Sequence, residues 1–191
     1  GAGTRLWPNS KNHQAKQFID FGNWTLLGKT LERTKTSIFD APVISTNKKY
    51  LKQVKQHLRK LKISKYKIVL EPAKRNTAPA ILSTALIKDI PNDQPLMFFT
   101  ADHLIEKMSI FNKAINKNKS NLTKENIFIF GIKPTSPSSE YGYFLTKKIK
   151  GNINKVTRFI EKPKEAKAKQ IIKNKGYWNS GMFYLRKDSI I

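Results

Sequence analysis

Cysteine is absent from the 191 residues. That excludes disulfides, thiolate metal sites and cysteine nucleophiles, and it fits a reducing, cytoplasmic setting. Long apolar runs are absent as well. None reaches the ~18–20 residues that a bilayer-spanning helix needs, so no membrane association is expected. Acidic residues are scarce, 13 against 37 Lys and Arg, for a formal charge of +24. Within that cationic excess arginine is scarce in turn: Arg5, Arg33, Arg59, Arg75, Arg158 and Arg186 are the only ones. Arginine makes forked contacts to phosphates and bases, whereas lysine is the common solvated surface charge. The lysines also run through nearly every segment rather than forming one block. The favoured reading is a solvated, lysine-biased surface with no specific nucleic acid partner. The alternative is a patch facing a polyanion.

Core-forming residues are plentiful. Apolar side chains make up 39% and aromatics 10%, enough for a folded domain rather than a disordered chain, and the length suits one domain. No internal repeat or low-complexity linker interrupts it. Short runs of Val, Ile, Phe, Leu and Tyr predict strands at 42–46, 67–70, 96–100, 127–132, 156–160 and 181–185. Helical periodicity predicts helices at 50–61, 77–88, 109–118 and 165–175, with Leu51, Val54, Leu58 and Leu61 along one face of the first. Asn76 is placed to cap the second, and Pro79 is tolerated in its first turn. This alternation predicts an α/β fold with a mostly parallel sheet covered by helices. Ligands in such sheets sit at the carboxyl ends of strands.

The residues with chemical potential cluster near those ends. Gly1-Ala2-Gly3-Thr4-Arg5 is a glycine loop followed by a cation, a pattern that lets backbone amides and a guanidinium approach phosphate oxygens. It lacks the Gly-Lys-Ser/Thr of a P-loop and the third glycine of a dinucleotide fingerprint. Lys16 offers a second cation. Glu71 ends a predicted strand and leads through Arg75, Asn76 and Thr77 into a helix N-terminus, where free N–H donors gather. A carboxylate there complements the adjacent N1–H and N2 amino donors of guanine, or it pairs with a nearby lysine. Asp102, after the strand at 96–100, stands where a divalent-cation ligand sits beside phosphates, and where a turn-capping Asp also sits. Tyr141, Gly142, Glu161, Lys162 and Asn179 supply aromatic, carboxylate, cationic and amide groups suited to an anionic polyol. Each, taken singly, also fits a salt bridge or a turn.

Taken in order, GAGTRLWP, KQF, EP..RNTAPAI, ADH, FGI.PT, YGY, F.EKP and WNSG closely resemble the mannose-1-phosphate guanylyltransferases, or GDP-mannose pyrophosphorylases. These are sugar-nucleotidyltransferases with a Rossmann-like fold. The resemblance implies that residues 1–191 are a nucleotidyltransferase domain converting GTP and mannose 1-phosphate into GDP-mannose and pyrophosphate with Mg²⁺. A sister enzyme using another sugar or base is the nearest alternative, and a basic nucleic-acid-binding module is the alternative from another class. By motif, Gly1, Gly3, Thr4, Arg5 and Lys16 would hold the GTP phosphates, and Glu71, Arg75, Asn76 and Thr77 would surround the guanine. Asp102 would bind the metal. Tyr141, Gly142, Glu161 and Asn179 would contact the mannose, and Lys162 its phosphate. The catalytic set would be Arg5, Lys16, Asp102 and Lys162. Ala15 stands where family members usually have proline. Family members also carry an apolar strand before the glycine loop, and further strands with a second metal-binding Asp after position 191. The resemblance therefore implies an internal piece truncated at both ends. A homo-oligomer is left open.

Overall fold

The computed structural model describes residues 15–73, 77–151 and 153–191. The chain divides into two compact units, Gly1–Asn126 with Leu185–Ile191, and Ile127–Tyr184. Among the described residues no helix is long and apolar enough to cross a membrane.

In the first unit a short 3-10 turn at Lys16–Phe18 precedes α1 (Leu26–Arg33), β1 (Val43–Asn47), α2 (Leu51–Lys60), β2 (Lys67–Glu71), α3 (Thr77–Ala85), β3 (Pro95–Phe98) and α4 (Met108–Asn118). The helix α1, not predicted from periodicity, starts at an extended Thr25 whose hydroxyl accepts from the Gly28 N–H at 2.9 Å, an N-cap that satisfies one of the free amides. Its Leu27 and Leu31 join Ala15, Phe18, Val54 and Leu58 in the core, with Ile44 and Ile68 packed against them. The α2 stripe therefore faces inward, with Val54 and Leu58 buried, while Lys52, Lys55 and Lys60 are exposed. Two elements depart from expectation on this side. Leu82 and Leu86, in helical register with Ala78, Ile81 and Ala85 and so expected to be buried with them, are 45% and 59% exposed. Lys187 is 4% exposed and donates to the carbonyls of Ile87 and Ile90 at 3.0 and 2.6 Å, so it departs from the solvated lysine pattern.

The strands β1 and β2 are joined through α2 and pair in parallel, with Val43 opposite Lys67 and Asn47 opposite Glu71. This two-stranded sheet matches the parallel expectation. The second unit does not. It contains β4 (Ile127–Ile132), β5 (Tyr143–Lys150), β6 (Ile153–Ile160), α5 (Glu165–Lys173) and β7 (Tyr177–Arg186) as far as Tyr184. Here β5 runs antiparallel to both β6 and β7, and β7 also pairs with β4. The expectation of a mostly parallel sheet is corrected accordingly. The reason is connection length: β5 and β6 are separated only by Gly151-Asn152, and so short a link joins antiparallel strands, whereas parallel ones need a long crossover. Gly151, at φ +57°, suits a tight hairpin. Along β4, Gly131 is required by close approach, since a Cβ there would lie 2.8 Å from Phe144 Cζ and 2.9 Å from Tyr177 Cβ. These two rings stack with centroids 5.8 Å apart. Beneath the sheet Ala168 and Ile171 of α5 pack on Tyr143.

Leu58 has no exposed surface, so truncating it leaves a cavity in the first unit. We expect Leu58→Ala to lower the unfolding free energy by about 2–5 kcal/mol, and Leu86→Ala to change it by less than about 0.5 kcal/mol. Urea denaturation of both variants checks the pair.

Candidate functional site

The sharpest juxtaposition in the first unit joins residues 86 positions apart. Lys16 Nζ lies 3.3 Å from Asp102 Oδ2, with the side chains 38% and 37% exposed. Lys16 is held because its neighbours are anchored: Ala15 and Phe18 are 3% and 4% exposed, and the Phe18 ring packs against Tyr50 and His57 at 5.3 and 5.8 Å. Asp102 sits in the turn after β3. His103 follows, its Nε2 3.9 Å from Asp102 Oδ1. Burial pushes the His103 imidazole below its ordinary pKa; Asp102 opposes this, and the positive charges of Lys16 and Arg33 add to it. Lys16 is the cation in contact with the carboxylate among the described residues. Behind the turn lies Arg33, which the motif reading missed. It is 5% exposed, its guanidinium donates to the His103 carbonyl, and the Phe99 ring lies 5.8 Å from its centre. Its position in the last turn of α1 is the signal that could have found it, once that helix is recognised.

The second grouping lies at the carboxyl end of the parallel pair. Glu71 accepts a 2.6 Å hydrogen bond from the Ser45 hydroxyl, and its backbone carbonyl accepts from Asn47 Nδ2 at 3.3 Å. Among the described residues its carboxylate is thus held by a hydroxyl rather than a lysine ammonium, and one oxygen retains acceptor capacity. Ser45, one strand over, was not among the residues singled out from sequence. Thr77 opens α3 and is exposed. Gly1, Gly3, Thr4, Arg5, Arg75 and Asn76 lie outside the described residues.

In the second unit the remaining candidates are brought together. Tyr143 is fully buried, its hydroxyl accepting from the Ser138 N–H at 2.9 Å and donating to the Ser138 carbonyl at 3.0 Å. This double bond anchors the segment leading to Tyr141 and Gly142. The β5–β7 register sets Tyr143 opposite Trp178, and the Asn179 N–H donates to the Gly142 carbonyl at 2.8 Å. Asn179 Oδ1 in turn accepts from the Gly181 N–H at 3.1 Å, which fixes the amide side chain. The rings of Tyr141 and Trp178 lie 4.9 Å apart. Gly142 is irreplaceable by larger residues without movement, because a Cβ there would meet Glu161 Oε2 at 2.8 Å and Phe159 Cζ at 2.9 Å. Lys162, at φ +41°, reaches back so that Nζ is 3.6 Å from Glu161 Oε1, both side chains being well exposed. The group offers hydroxyl-binding acceptors next to a cation, the chemistry that a phosphorylated sugar requires.

Among the described residues no cluster of three or more His, Asp or Glu side chains is placed to hold a metal ion. Asp102 stands instead as a single half-open carboxylate.

A family model described as nucleotidyl transferase matches residues 1–190. The chain is 37% identical over 193 residues to a mannose-1-phosphate guanylyltransferase of Escherichia coli, covering 96% of this chain and 42% of that one. It is 34% identical over 192 residues to the alginate biosynthesis protein AlgA of Pseudomonas fluorescens, with 97% and 40% covered. Among solved structures, that of a mannose-6-phosphate isomerase from Helicobacter pylori matches with a TM-score of 0.80 at 30% identity, covering 92% of this chain and 68% of that one. The chain thus spans about two fifths of the length of these curated relatives.

Removing the Tyr143 hydroxyl leaves both Ser138 backbone groups without that partner. We expect Tyr143→Phe to cost about 1–3 kcal/mol and to speed amide exchange at 138–142, readable by denaturation and by hydrogen–deuterium exchange.

Proposed function

The chain belongs to the nucleotidyl transferase family, and on that premise we propose that it transfers the guanylyl group of GTP to mannose 1-phosphate. The products are GDP-mannose and pyrophosphate. The observation that carries this reading is the Lys16–Asp102 pair. A reaction between two polyanions needs cationic neutralisation and a carboxylate for a counter-ion in one place, and here the two are in contact.

The chemistry asks little covalent work of the protein. A phosphate oxygen of mannose 1-phosphate forms a bond to the α-phosphorus of GTP. The bond from that phosphorus to the bridging oxygen breaks in line, and its electron pair leaves with pyrophosphate. Positioning and charge neutralisation supply the acceleration, and no covalent enzyme intermediate is required. Lys16, with Gly1, Gly3, Thr4 and Arg5 of the glycine loop, would hold the triphosphate. Glu71 would accept from guanine N1–H and the N2 amino group, with Arg75, Asn76 and Thr77 beside it. Glu161, Asn179, Tyr141 and the Gly142 backbone would orient the mannose, and Lys162 would neutralise its phosphate.

Magnesium fits the donor set. Mg²⁺ is commonly held by one or two carboxylates together with substrate phosphates rather than by a preformed protein cage. Asp102 is a carboxylate of that kind, 37% exposed beside Lys16. When bound there the ion would offset the charge of the triphosphate. A cytoplasmic location belongs to the same proposal.

Pyrophosphate release and nucleotide-sugar formation in the full chain test it. We expect activity with GTP, mannose 1-phosphate and Mg²⁺, loss on chelation, and a preference for GTP over ATP, UTP and dTTP. Asp102→Asn and Lys16→Met should each lower kcat/KM by about 10²–10³-fold. Turnover with another nucleotide in preference to GTP, or full activity in both variants, would overturn the reading.

A further inference from the structure

We propose that Arg33 is a positioning residue, with α1 gripping the turn that carries Asp102 through the carbonyls on either side of it. Two side chains one helical turn apart make the grip. Thr30 Oγ1 donates to Leu26 O at 3.0 Å and reaches the Thr100 carbonyl at 3.5 Å. Arg33 Nη2 donates to the His103 carbonyl. Residues three apart share a helix face, so the same face of one helix lies against Thr100 and holds His103, the residues that bracket Asp102. Thr30 and Arg33 are 7% and 5% exposed, so the grip is closed to solvent.

The choice of arginine at this place is informative. A buried cation is costly unless compensated, and burial lowers the Arg33 pKa. Among the described residues its Nη1 has no hydrogen-bond partner, and its company is a backbone carbonyl and the Phe99 ring. If position 33 only filled space, leucine or methionine would do so without desolvating a charge. What a guanidinium adds is a rigid planar donor of fixed reach, aimed at the peptide next to Asp102. A carboxylate that acts on phosphates must be held to within about 0.5 Å, and the turn supplies no regular hydrogen-bond ladder of its own. The inference rests on Asp102 acting in the proposed transfer.

Arg33→Met and Arg33→Lys in the full chain test it, with kinetics, hydrogen–deuterium exchange across 99–104 and denaturation as readouts. Arg33→Met should lower kcat about 10–100-fold while KM for GTP moves by less than about threefold, the pattern of an interaction that acts at the transition state. Exchange at 100–103 should rise more than at the core of α2. Arg33→Lys, which keeps a cationic donor, should retain more of the kcat than Arg33→Met, which a mere packing defect would not show. If Arg33→Met fails to fold, Arg33→Lys carries the test and should show the same directions at smaller size. Wild-type kcat and wild-type exchange at 100–103 in a folded variant would overturn the proposal. A wild-type chain without nucleotidyl transfer would sink the functional reading instead, and exchange alone would then judge the grip.

Discussion

In the first unit a lysine and an aspartate meet across 86 positions of sequence. Both side chains are more than a third exposed, and an ion pair that open contributes little to stability. Its significance is placement. The ammonium is set by the burial of Ala15 and Phe18 on either side of it, and the carboxylate by a short turn at the end of β3. Neither anchor involves the charges themselves. The core therefore fixes the pair, and the pair is free to engage a ligand without unfolding anything.

The second unit solves a similar problem with hydrogen bonds rather than burial of neighbours. Tyr143 grips Ser138 through both backbone groups, and the β5–β7 register carries Asn179 to Gly142. The missing side chain at Gly142 leaves room for the Glu161 carboxylate to lie against the backbone. A polar group is thus presented on strands and their immediate turns, where packing holds it, rather than on a long loop.

Much of this was legible before any coordinates. The strand at 127–132 and the helices beginning at Thr77 and Glu165 fall where apolar spacing put them, and the α2 stripe buries Val54 and Leu58 as its period requires. The strand β5 was not legible, because Lys147, Lys148 and Lys150 interrupt its apolar residues and read as solvent-facing loop. The parallel expectation followed from the alternation of elements and failed where Gly151-Asn152 leaves no room for a crossover. Helix α1 is only eight residues long and carries a glycine, so it is too short to stand out even though Leu27 and Leu31 lie one helical turn apart on its buried face. Arg33 was hidden for a related reason: in a chain so rich in cations, one more charge looks like surface. The motifs brought Lys16 and Asp102 to attention, whereas their contact is a tertiary fact that no local pattern encodes.

The hydrogen bond from Ser45 to Glu71 has a directional consequence. A hydroxyl whose proton is committed to a carboxylate has only lone pairs left to show. The Ser45–Glu71 pair consequently presents oxygens that accept. A heterocycle presenting two N–H groups side by side can satisfy it, while one that sets a ring lone pair there meets repulsion. Discrimination between purines would then reside in the edge they present, a ring N–H beside an amino group against a bare ring nitrogen beside a C–H.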